Sequence, residues 1–202
     1  GHGARPGGHG RAAGARHPAG RGDRPGGSRD HGGGGPFQAG GELTVRILAI
    51  DPGTSCGWAI WDGGDVVHAG TWDLSARRFE GGGMRYVHFE RFFREALRGA
   101  QLVAFEEVQM HQGTAAAHVY GGITAHLMRI CQETGIPYFS IPYAHIKRAA
   151  TGKGNAGKDA MVEAANCRWG LTLTEKKGAD EADARWIAVA AASQYGEQRS
   201  AA

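Results

Sequence analysis

From Thr44 onward the chain alternates short apolar runs with turn residues, and each run has the length of a single element. Residues 45–51, VRILAID, are almost continuously apolar and rich in β-branched side chains, which predicts a buried strand. CGWAIWD at 56–62 and VVHAGTWDL at 66–74 follow, separated by Asp62, Gly63, Gly64 and Asp65, a hairpin-turn signal. Three antiparallel strands are therefore expected to open the domain. At 84–98, Phe89, Phe92, Phe93, Ala96 and Leu97 recur at helical spacing among Arg and Glu, predicting an amphipathic helix. QLVAFEE at 101–107 reads as a buried fourth strand, 114–134 as a long helix stopped by Gly135, and PYFSIP at 137–142 as a fifth strand. Helices are expected at 143–151 and 158–169 around the loop GKGNAG, and a last helix over 179–195 has an apolar C-terminal half. A hairpin-led sheet followed by crossover helices implies an α/β fold: a mixed five-stranded sheet, three antiparallel strands first, with helices on both faces.

Residues 1–41 break the pattern. They hold 16 of the 35 glycines and 4 of the 7 prolines with one large apolar side chain, Phe37, too little buried surface to offset the entropy of ordering. Disorder is expected there, in a solvated extension or upstream sequence outside the working domain of residues 42–202. So many glycines disfavour the amphipathic helix of a transit peptide. True Arg/Gly repeats are absent, and His2, His9, His17 and His31 are spaced too irregularly for a metal tract. With six Arg and two Asp the segment carries net +4, which leaves net −1 for residues 42–202. The pI of about 8.9 therefore describes the tail, and any nucleic-acid surface on the domain must be a local patch. Cys56, Cys131 and Cys167 form no CxxC pair, which argues against a disulfide framework or structural zinc. No run approaches the roughly 18 apolar residues of a membrane span, and a cytoplasmic protein without membrane contact is expected.

The acids are placed where chemistry would need them. Asp51 ends the first strand, Glu106 and Glu107 end the fourth, and Asp180 and Asp183 open the last helix at a spacing that puts both on one face. Singly, each has a local explanation: Asp51 as a turn-former before Pro-Gly, Asp180 as a helix cap, Asp183 as a complement to the helix dipole. None of these explains why the apolar strand LVAF runs directly into two glutamates. Several carboxylates gathered in a partly buried site repel one another unless cations neutralise them, which points to a hard divalent metal, Mg²⁺ or Mn²⁺.

ILAIDPGTSCGWAI, VAFEEV and ADEADA, in this order and at these separations, resemble the three acidic motifs of the RuvC-type Holliday-junction resolvases of the ribonuclease H-like superfamily, nearest its phage and prophage branch. The resemblance spans about residues 45–195. It implies that Asp51, Glu106, Asp180 and Asp183 are catalytic and bind two Mg²⁺ ions, with Mn²⁺ as a substitute. It also implies that Lys147, in IKRA, and Lys158, in NAGKD, stand near the scissile phosphate, Lys158 offsetting charge on the phosphorane. The implied activity is metal-dependent, structure-selective cutting of four-way DNA by paired nicks with 5′-phosphate ends, in DNA recombination and repair. Such a cluster suits in-line phosphodiester hydrolysis by two metals. The family commonly carries an aromatic residue shortly after the catalytic Glu; this chain has Gln109, Met110 and His111. No branch-migration motor is inferred as a partner.

Between Lys147 and Lys177, seven basic residues face three acidic ones, so DNA contact is expected there, through Lys147, Arg148, Lys153, Lys158 and Arg168. GKGNAGK fails the phosphate-loop pattern, because Asp159 stands where Ser or Thr is needed. A kinase- or actin-like reading of DPGTSCG needs a second domain that about 161 residues cannot supply. A related nuclease acting on other branched DNA or RNA-containing duplexes would use the same carboxylates. Symmetric resolution needs two active sites, so a homodimer is expected, with the helix at 114–134 as candidate surface through Ala117, Ile123 and their neighbours.

Overall fold

The computed structural model describes residues 45–108 and 113–200; the expectations for residues 1–41 and for Gln109, Met110 and His111 lie outside them. Five strands run in the order β1 (Ile47–Asp51), β2 (Ser55–Asp62), β3 (Asp65–Asp73), β4 (Leu102–Glu107) and β5 (Tyr138–Pro142). They form one sheet of spatial order β3-β2-β1-β4-β5. β1, β2 and β3 pair antiparallel, while β4 pairs parallel with β1 and β5 parallel with β4. This is the expected mixed sheet. Its hairpin turns on Gly63 and Gly64, both at positive φ (61° and 97°), which matches the twist of the flanking strands.

Five helices complete the chain: α1 (Met84–Ala96), α2 (Thr114–Thr134), α3 (Tyr143–Thr151), α4 (Lys158–Trp169) and α5 (Ala179–Ser200). The last runs five residues past its expected end, through a polar turn that its own backbone hydrogen bonds sustain. Side chains alternate across the strands and build two cores. Ile47, Ala49, Ala59, Leu102 and Ala104 point to one face, where they pack with α3, α4 and α5. Leu48, Ile50, Val103 and Phe105 point to the other, under α1 and α2.

The first face is lined with small residues. Ala49 is the register partner of both Ala59 and Ala104, which makes a row of alanines across the three central strands. α5 answers with Ala182, Ala184, Ala188 and Ala191, all fully buried, so helix and sheet approach closely. Trp186 Nε1 donates to the Met161 carbonyl at 3.1 Å and ties α5 to α4.

The long helix α2, the candidate dimer surface, turns its large apolar side chains inward. Ile123, Leu127 and Ile130 are fully buried against α1 and the sheet, with Val119 and Met128 packed on them. Its apolar stripe serves the core, and the small residues Ala115, Ala116, Gly121 and Ala125 are left exposed. No helix among the described residues is long and apolar enough to cross a membrane.

Candidate active site

Alternation along β1 and β4 decides which acids meet. Asp51 continues the row of Ile47 and Ala49, and Glu106 continues that of Leu102 and Ala104, so both face α5 at the same end of two parallel strands. Glu107 falls on the opposite face, where Ser140 Oγ donates to its Oε2 at 3.4 Å. The N-terminal end of α5 delivers Asp180 and Asp183 to the same end.

What lets α5 come so close is Gly57, the register partner of Asp51 on β2. A Cβ placed there would lie 1.9 Å from the Asp180 carbonyl oxygen and 2.6 Å from its carbon. Only a residue without a side chain permits this contact. Ser55, two residues earlier, donates its hydroxyl to Asp180 Oδ2 at 2.5 Å and fixes that carboxylate. Neither residue was singled out from the sequence. A glycine inside an otherwise apolar strand was the available signal for Gly57; the Ser55 contact spans 125 residues and had none.

The four acids form one electrostatic unit. Asp51 is held well above the usual carboxylate range, by burial first and then by the charges of Glu106, Asp183 and Asp180. Glu106 is pushed up to about 7 by burial and then by Asp183, while Lys158 and a hydrogen bond with Asp51 act the other way. Asp183, 8% exposed at its side chain, rises to about 6, again mainly through burial, with Lys158 opposing. The Lys158 ammonium lies 3.9 Å from Asp180 Oδ1 and 4.0 Å from Asp183 Oδ2, at the start of α4. Tyr143 opens α3 beside the cluster; burial and the charges of Asp183, Glu106 and Asp51 push its phenol upward. Lys147 Nζ stands 4.3 Å over the Tyr143 ring, and its charge opposes part of the rise at Glu106 and Asp183. Tyr143 also escaped the sequence reading.

The remaining basic residues separate. Lys147 and Lys158 flank the acids, and exposed Lys153 lies in the loop between their helices. Arg148 faces a groove shared with Glu107, Ser140 and His145 at the edge strand β5. Arg168, at the far end of α4, lies 3.8 Å from Asp65 and stacks over Trp169 and Trp186. Asp65 begins β3 at the hairpin, so the structure does not bring Arg168 to the carboxylates.

Among the described residues no three His, Cys, Asp or Glu side chains are arranged as a ready-made metal cage. The donor chemistry nevertheless fits a hard cation. All four donors are carboxylates, three are held above their ordinary values by burial first and then by neighbouring acids, and Asp183 Oδ1 is buried without a hydrogen-bond partner.

No family model matches the chain. The crossover junction endodeoxyribonuclease RuvC of Magnetococcus marinus is 27% identical to it over 150 residues, covering 72% of this chain and 82% of that protein. Among solved structures, RuvC of Thermus thermophilus in complex with Holliday junction substrate superposes with a TM-score of 0.64 at 21% identity, over 77% of this chain and 96% of that one. The yeast mitochondrial Holliday junction resolvase Ydc2 gives a TM-score of 0.57 at 13% identity, over 78% of this chain and 81% of that one. The fold is thus the RuvC-like form of the ribonuclease H fold. On it, this chain carries its own acids, Asp51, Glu106, Asp180 and Asp183, at one end of the sheet.

Proposed function

We propose that the chain is a divalent-metal-dependent endodeoxyribonuclease that resolves four-way DNA junctions by paired nicks, as its resemblance to the phage and prophage resolvases implies. The observation that carries this reading is the convergence of Asp51, Glu106, Asp180 and Asp183, with Lys158 beside them, on a RuvC-like fold. The names of the three proteins compared above support the substrate: each of those three is a junction resolvase or crossover junction nuclease.

Asp51, Glu106, Asp180 and Asp183 would hold two Mg²⁺ or Mn²⁺ ions, which supply activation of water and stabilisation of the leaving 3′-oxygen. The protein's share is positioning. Asp51, whose carboxyl feels the charges of all three other acids, would help to hold both ions. Ser55 holds Asp180 in place, and Lys158 presents a positive charge to the phosphate as negative charge develops on it. Lys147 and Lys153 add backbone contacts that do not read sequence, as would Arg148 along the β5 groove. Paired nicks require two such clusters, so a homodimer belongs to the proposal.

The test is cleavage of a mobile four-way junction beside linear duplex, flap and RNA/DNA hybrid, with Mg²⁺, with Mn²⁺ and with chelator. Junction-selective paired nicks that vanish in chelator support the reading. Preferential cutting of the hybrid would assign the same site to a ribonuclease instead.

A further inference from the structure

Between β3 and α1 the chain makes a turn that exposes an aromatic ring. Phe79 is 94% exposed, the most exposed large apolar side chain among the described residues. A solvated phenyl ring gains nothing for the fold. Yet the turn is firmly built: Glu80 N donates to the Arg77 carbonyl at 2.9 Å, and Arg77 N donates to Glu80 Oε2 at 3.2 Å. His88 Nε2, on α1, lies 3.5 Å from the same carboxylate. Arg78 and Phe79 are the two tip residues, the guanidinium 5.5 Å from the ring centroid. Around Gly81, Gly82 and Gly83 there is open space.

The location relates the turn to the carboxylates. β3 runs parallel to β1 and β4, so the turn leaves the sheet at the end that carries Asp51 and Glu106. Leu74 N donates to the Thr54 carbonyl at 2.8 Å and Arg85 Nη1 to Thr54 Oγ1 at 3.4 Å, next to Ser55, which holds Asp180. Charge favours a polyanion: over residues 73–91, Arg77, Arg78, Arg85 and Arg91 outnumber Asp73, Glu80 and Glu90, and Glu90 is paired with Arg129 of α2.

We propose that this turn is a base-stacking finger: Phe79 stacks on a nucleobase exposed at the branch point, and Arg77 and Arg78 grip the adjoining phosphates. The proposal rests on the junction-nuclease reading and adds to it the residue that selects a branch over plain duplex. One ring among arginines and glycines suits a π-face flanked by phosphates; a protein partner would need a contiguous apolar patch.

The experiment uses the full chain in chelator, with 2-aminopurine at the branch point of a four-way junction and at the matched position of a linear duplex. Wild type is expected to raise the fluorescence on the junction alone. Phe79→Ala should lose most of that rise and bind the junction about tenfold more weakly, while Phe79→Trp keeps both. Val67→Ala, an exposed apolar control near the hairpin end of β3, should match wild type. Phe79→Ala indistinguishable from wild type, or weakened equally on junction and duplex, would overturn the finger while leaving junction cleavage by wild type as it stands. Wild type without any preference for the junction, and without nicking it in Mg²⁺, would instead overturn the nuclease reading and the finger with it.

Discussion

Asp51, Glu106 and Asp183 each hold a proton more tightly in the folded chain than in the unfolded one, where Glu titrates near 4.5 and Asp near 3.8. By linkage their contribution to stability is fully present below those unfolded values. It is lost as pH rises through the folded ones, about 6 for Asp183 and about 7 for Glu106. At pH 8 without divalent cations the cluster therefore strains the fold. Asp51→Asn should melt several degrees above wild type in chelator at pH 8, a gain of about 1–3 kcal/mol, with the difference vanishing near pH 4 or on adding Mg²⁺ to wild type. Thermal melts across pH check this, and a variant less stable than wild type at pH 8 would contradict it. The same residues should be indispensable for cleavage: Asp51→Asn, Glu106→Gln or Asp183→Asn is expected to lower nicking at least a hundredfold with junction binding retained. Glu107→Gln should keep most activity. That distinction was legible in the sequence, because strand alternation alone sends adjacent glutamates to opposite faces. Tyr143 and Ser55 were not legible: their place in the site comes from contacts with residues far along the chain.

The elements were readable because each carries its own signal. The period change at Met84, the glycine stop at Gly135 and the two-glycine turn at 63–64 drew boundaries within a residue or two. How closely two elements approach is a different matter, settled by single small residues. Gly57→Ala should destabilise the domain by about 1–3 kcal/mol through overpacking and reduce cleavage further than that loss explains. The new methyl meets the Asp180 backbone and must push the acids of α5 away from Asp51. A melt combined with a cleavage assay separates the two effects, and full activity would show that α5 can shift without consequence. The apolar excess of α2 left two readings open, because helical periodicity cannot tell a wide core face from an interface. With Ile123 fully buried, Ile123→Glu should unfold the protein, whereas Ala125→Glu, on the exposed side, should leave it folded. Whether that variant becomes monomeric in sedimentation tests α2 as a dimer surface.

At the scale of the whole molecule, two apolar clusters lie on opposite faces of one sheet, and the acids, Lys158 and the Arg77–Glu80 turn gather at one end of it. Residues 1–41 hold a single large apolar side chain, Phe37, so their deletion is expected to leave melting temperature and nicking unchanged. A uniform loss of DNA affinity with a shallower salt dependence would instead assign the six arginines of that segment to phosphate contact. Lys147 of α3 and Lys158 of α4 stand beside the acids, with Lys153 in the loop between their helices; Arg168 shares their stretch but lies a helix length away, a separation only the fold reveals. The central claim, that these four carboxylates cut branched DNA with the help of divalent metal, is tested most directly by one measurement: cleavage of a mobile four-way junction and its linear duplex by wild type and Asp51→Asn, in Mg²⁺ and in chelator. Paired nicks on the junction from wild type in Mg²⁺ alone, with no products from Asp51→Asn, are the expected result. Equal cutting of duplex and junction, or undiminished cutting by Asp51→Asn or in chelator, would contradict the account.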